Sequence, residues 1–187
     1  EEHVLAETHA VEGAKLIARS TTLNETTLRC LRAALEHHAG TGGYPTLREL
    51  KPSVLSRVVS CADCYASLQT HRSERGQMVT PYEALGMMLG PLSTRFDPAI
   101  LWALIRTLGF YPPGQVVLLD DGAIALVLAP NADDLARPHL RVVVDALGQW
   151  GDANQPIEFK PLSKDRNVTR ALRVEEYPQA PNTQNAA

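Results

Sequence analysis

The sequence has no run of apolar residues approaching the ~18 that a membrane span requires, and no signal peptide is visible. It has only three cysteines, Cys30, Cys61 and Cys64. An odd and sparse set argues against a secreted disulfide framework and fits a reducing cytoplasm. Charge of one sign is also lacking: 18 basic and 21 acidic side chains leave a formal net charge of −3. A dedicated duplex-binding protein carries a basic surplus to neutralise phosphates, so binding to duplex nucleic acid is not expected. Neither a phosphate-cradling Gly loop of the P-loop type nor a G-x-S-x-G elbow occurs. There is no initiator Met; the chain opens Glu1-Glu2-His3 in helix-forming composition and reads as a piece of something longer. What is present is an ordinary globular composition, 44% hydrophobic over 187 residues. That suits one domain, with or without a small appendage.

The first two-thirds of the chain reads helical. Glu2 to Arg19 contains no Pro. Asn24 suits an N-cap, and behind it Leu28, Leu31, Ala34, Leu35 and His38 step by three and four residues along one helical face. Ala39 to Pro45 must end that helix, because Gly costs backbone entropy and Pro cannot continue it. Ser53 to Leu68 is helical again, with Val54, Leu55, Val58, Val59, Ala62 and Tyr65 as the expected buried stripe. Thr80-Pro81-Tyr82-Glu83 has the form of an N-cap, a Pro at the first helical position and a reciprocal Glu, and starts a helix to about Leu89. Phe96-Asp97-Pro98 repeats the pattern and starts another, to about Leu108. After Pro112 the period changes. Gln115–Leu119 and Ala123–Ala129 flank Asp120-Asp121-Gly122 as a hairpin, His139–Val144 is a third strand, and a weaker one is expected near Ile157–Lys160. The expected division is a helical core over 1–111, a small β-rich unit over 112–178 and a flexible tail over 179–187.

Four positions stand out chemically. His37 and His38 sit together at a helix C-terminus. One of them can cap the last carbonyls and gain from the helix dipole. Neighbouring helix residues point about 100° apart, so the two rings could share a metal only at a bent helix end. Asp63 lies among Val58, Val59, Cys61, Ala62 and Cys64, where a carboxylate needs a partner. It reads either as wet or paired with an Arg such as Arg57, or as a metal ligand beside imidazole, a set that suits Fe, Mn or Zn. His9 in a helix is structural or a ligand. Cys61 and Cys64 have C-x-x-C spacing, but inside a helix pattern they read as packing residues. Arg72 and Arg75, with His71, form a basic patch that is either a solvated turn or a clamp on an anionic phosphate.

Taken in order, these pieces resemble a family. His9-Ala10-Val11-Glu12-Gly13, then His37-His38 with Gly43-Tyr44-Pro45, then Ala62-Asp63-Cys64-Tyr65 with Leu68 in step, then basic residues and Phe96-Asp97-Pro98, resemble the C-terminal two-thirds of an HD-GYP domain. That is the bacterial phosphohydrolase class that linearises cyclic di-GMP. The resemblance runs from about His9 to Val144. It implies a mainly α fold, an HD-type helical core followed by a small antiparallel β unit. It implies that His9, His37, His38 and Asp63 ligate divalent transition metal, Fe, Mn or Zn. It places Arg72 and Arg75 near substrate phosphates, and Tyr44 and Pro45 at the pocket mouth or against a protein partner. A cyclic dinucleotide is the implied ligand.

The sequence also departs from the family. The His-Asp dyad and the catalytic Lys of the family lie upstream of the His9 motif, outside this chain. Ala39 stands for the Glu that follows the twin His, Ala66 for a second Asp, Glu74 for a Tyr, and Ala10 for a Pro; the turn to Gly-Tyr-Pro is about two residues shorter than usual. Two functions follow as expectations. One is a divergent metal-dependent cyclic di-GMP phosphodiesterase domain, active if the full-length protein supplies the missing dyad. The other is a degenerate module that senses a nucleotide or binds a protein without turnover.

Overall fold

Asn24 opens the second helix as its side chain predicts: the Thr27 amide donates to Asn24 Oδ1 at 2.9 Å. In a computed structural model, residues 8–20, 22, 24–39, 44, 51–70, 78–151 and 160–179 are described. Among them are five α-helices: α1 (His9–Ser20), α2 (Glu25–Glu36), α3 (Val54–Thr70), α4 (Pro81–Leu89) and α5 (Pro98–Leu108). Four strands follow: β1 (Val116–Leu119), β2 (Ile124–Ala129), β3 (His139–Val144) and β4 (Val168–Ala171). The architecture is therefore mixed, helices plus a small antiparallel sheet, and the expectation of a mainly α chain is met only in part. The chain groups into two compact units, Glu1–Ser67 with Met87–Leu104, and Leu68–Gly86 with Ile105–Ala187. No helix among the described residues is long and apolar enough to cross a membrane.

In the first unit α1 packs on α2. Their buried positions include Ala10, Ala14 and Ala33, small side chains that let two helices approach closely. Of the anticipated face of α2, Leu31, Ala34, Leu35 and His38 are half-buried; Leu28 is exposed, and Thr27, Ala33 and Glu36 are the fully buried residues. The anticipated stripe of α3 is corrected. Val54, Leu55, Val58 and Ala62 are exposed and Val59 and Tyr65 half-buried, while Ser56 and Cys61 are its buried residues. The reason is a polar anchor. Glu36, 3% exposed, accepts from the Ser53 amide (3.0 Å) and the Ser56 hydroxyl (2.7 Å) and pairs with Arg32 at 2.5 Å. A buried carboxylate must be satisfied, so it turns the serine face of α3 inward at the expense of the valines. Ser53 also caps α3, its Oγ accepting from the Ser56 amide at 3.1 Å.

In the second unit the sheet order is β3-β2-β1-β4, all antiparallel. Burial alternates along β1 and the start of β2, and Val117, Leu119, Ala123, Ala125, Val127 and Leu162 form the core. The β1–β2 hairpin turns at Gly122, whose φ of +87° suits glycine. The fourth strand is Val168–Ala171, paired with β1. The strand anticipated near Ile157–Lys160 falls mostly outside the described residues, and Lys160 itself is not in a strand. Thr80 and Glu83 form the anticipated reciprocal cap: the Glu83 amide donates to Thr80 Oγ1 at 3.1 Å and the Thr80 amide to Glu83 Oε2 at 2.9 Å.

Candidate metal centre

The end of α2 decides the geometry. The regular helix stops at Glu36, and His37 and His38 lie in a turn that leads into a tighter helical residue at Ala39. That change of path brings the two rings together, with centroids 4.2 Å apart. His9, at the start of α1, joins them: its ring lies 5.2 Å from His37 and 5.0 Å from His38. One ligand atom from each of the three histidines lies within 4.8 Å of the others.

The capping reading of the twin His is realised as well. His37 Nδ1 lies 2.8 Å from the Ala34 carbonyl oxygen and donates to it, so its proton sits on Nδ1. Its other ring nitrogen, Nε2, faces His9 Nε2 at 3.2 Å. A backbone carbonyl that fixes the tautomer in this way is how metal-bound imidazoles are usually oriented. Capping and ligation are therefore compatible uses of one ring.

His38 is the half-buried member. Burial lowers its pKa below the ordinary imidazole value, the His37 charge adds to this, Asp63 opposes it, and His9 and Arg95 lower it further. His38 is accordingly neutral at pH 7, the form that offers a lone pair. Asp63 Oδ2 lies 3.5 Å from His38 Nε2. Arg57 does not pair with Asp63; it pairs with Asp97, whose other oxygen caps α5 through the Ala99 amide at 2.9 Å. The carboxylate that the sequence left open between Arg57 and imidazole thus faces imidazole.

Tyr44 lies against the cluster, its ring 4.8 Å from His38 and 5.7 Å from His9. Pro45, Arg72 and Arg75 lie outside the described residues. Cys61 is buried and burial pushes its thiol up to about 11, which fits packing rather than ligation. Cys64 is raised by burial too. Sequence reasoning missed Glu36, Ser56 and Arg95, and marked Arg57 and Asp97 without pairing them. They line a cleft that also includes His37. The one available signal was Phe96-Asp97-Pro98, which was read as a helix start and a late motif but not as the partner of Arg57.

No protein-family model matches the chain, and no solved structure matches it. The chain is 28% identical over 144 residues to a Pseudomonas aeruginosa protein named as a cyclic di-GMP phosphodiesterase. The match covers 68% of this chain and 34% of that protein, so the chain spans about a third of the relative's length. This distant similarity agrees with the HD-GYP resemblance carried by the motifs.

Proposed function

We propose that residues 1–111 form a divergent HD-GYP-type domain that binds divalent transition metal and acts on the phosphodiester of a cyclic dinucleotide, with residues 112–178 as an appended β unit. The convergence of His9, His37 and His38 within 4.8 Å is the observation that carries it. Three imidazoles, one with its tautomer fixed by the Ala34 carbonyl, and a carboxylate beside His38 suit Fe, Mn or Zn. His9, His37, His38 and Asp63 would hold the metal. When bound, such an ion lowers the pKa of a coordinated water and neutralises charge on phosphoryl oxygens. The residues themselves contribute position. α2 ends so that two imidazoles converge, and Glu36 ties that end to α3, which carries Asp63. Tyr44, with Pro45, would border the ligand at the mouth, and Arg72 and Arg75 would face its phosphates. A cytoplasmic setting keeps the thiols of Cys30, Cys61 and Cys64 reduced.

Ala39 and Ala66, where the family carries acidic residues, favour a second reading: a module that binds a nucleotide or a protein without turnover. The same experiment separates the two. The purified full-length protein is incubated with Mn or Fe, its metal content is measured, and cyclic di-GMP is followed over time. The enzyme reading expects bound metal and loss of the dinucleotide, both abolished in His38→Ala. Bound metal with intact dinucleotide selects the module. No bound metal in the unaltered protein overturns the metal centre itself.

A further inference from the structure

A cleft in the first unit adjoins the histidine cluster, sharing His37 with it. Its other walls include Glu36, Ser56, Arg57, Arg95 and Asp97. Its volume of about 140 Å³ holds several waters or one tetrahedral oxyanion. That is well below the roughly 300 Å³ of pockets that enclose a drug-sized ligand, so a whole nucleotide does not fit inside.

The polar groups on its walls are unequally satisfied. Both carboxylates are occupied: Glu36 by Arg32, Ser53 and Ser56, and Asp97 by Arg57 and the first amides of α5. Arg57 is not. Its Nη1 donates to Asp97, but its Nε is buried and has no hydrogen-bond partner among the described residues. A buried guanidinium N–H left unmet is costly, and the rest of this side chain lines the cleft. Arg95 adds a second guanidinium. It lines the same cleft as Arg57 and His37. A guanidinium does not ligate metal, but it can hold an anion.

We propose that this cleft is an oxyanion subsite, in which Arg57 and Arg95 hold the non-bridging oxygens of a phosphate ester next to the three imidazoles. The subsite rests on the phosphodiester reading above and deepens it, assigning the phosphate clamp to residues that its motifs did not mark.

Inorganic phosphate is the probe, titrated calorimetrically into the full chain in the presence of chelator and again after loading with Mn. Phosphate binds the unaltered chain in both states. Arg95→Gln, an exposed substitution, weakens phosphate about tenfold and leaves the bound metal unchanged, as expected for loss of one charge-assisted contact. Arg57→Lys keeps a cation for Asp97 but loses the planar fork and weakens phosphate as well. Equal phosphate affinity in the unaltered chain and Arg95→Gln overturns the subsite, as does no binding to the chelated, unaltered chain. The two readings fail separately. A chain that takes up no metal, yet loses phosphate binding in Arg95→Gln, retains the subsite without the metal centre. A chain that loads metal, with phosphate unmoved by Arg95→Gln, retains the metal centre without the subsite.

Discussion

Glu36 is adjacent to the twin histidines, yet it acts through α3. Burial works against its charge, but Arg32, the Ser53 amide and the Ser56 hydroxyl outweigh it and hold the carboxyl below the usual range. Replacing it by Ala leaves Ser53 N–H and Ser56 Oγ–H without their acceptor. The expected cost is ~2–3 kcal/mol, read as a lower urea midpoint. Because Glu36 sets how His37 and His38 meet the helix bearing Asp63, Glu36→Ala also weakens metal binding by about 10–100-fold, as losses behind a metal ligand commonly do. Full metal affinity in a destabilised Glu36→Ala protein removes that positioning role. The sequence offered little warning of this residue. Histidines and a lone aspartate advertise a metal site by type, whereas a buried Glu reads as surface until its serine partners, 17 and 20 positions on, are known. Arg57 is a similar case, since its partner Asp97 lies 40 residues away and Asp63 only six.

Local chemistry marks helix starts well, because a cap and the amides it meets are three residues apart. Asn24, Thr80 and Asp97 each cap the helix that the sequence expected of them. Buried faces were less legible. α3 turns Ser56 and Cys61 inward rather than its valines, a choice made by Glu36 on another helix. β4 was missed because Val168–Ala171 is a short strand with mixed polarity, and its pairing to β1 is long-range. The α4 cap carries a pH prediction. Burial works against the Glu83 charge, but the Thr80 amide and the Arg173 guanidinium, 2.5 Å away, outweigh it and hold its carboxyl below the usual range. A lowered folded pKa stabilises above the unfolded value of about 4.3 and loses that contribution as pH falls through the folded value. Glu83→Gln keeps the capping geometry and removes the charge. About a third of the pair is exposed, so the variant is expected to lose only ~0.5–1 kcal/mol at pH 7. Urea midpoints at pH 7 and pH 3 check it: the gap between variant and parent closes at pH 3. A gap of equal size at both pH values means the charge contributes nothing.

For the whole chain, the contact grouping puts the histidine cluster and all four sheet strands in different units. A ligand that binds only the folded form stabilises what it touches by RT ln(1 + [L]/Kd), about 2.7 kcal/mol at a hundredfold excess over Kd. Metal bound by His9, His37, His38 and Asp63 spans the start of α1, the end of α2 and the middle of α3, so it stabilises those helices against opening. The sheet has its own core of Val117, Leu119, Ala125 and Val127 and no ligand in common with the cluster. Amide hydrogen exchange with and without chelator reads the two units separately. Stripping metal is expected to speed exchange about a hundredfold in α1, α2 and the turns of α3 around Asp63, the rate equivalent of that stabilisation, and to leave β1–β4 unchanged. His38→Ala should exchange at the stripped rate whether or not metal is added. Uniform acceleration through helices and sheet would instead mean that the two units open together, and unchanged rates in the helices would mean that no metal is held there.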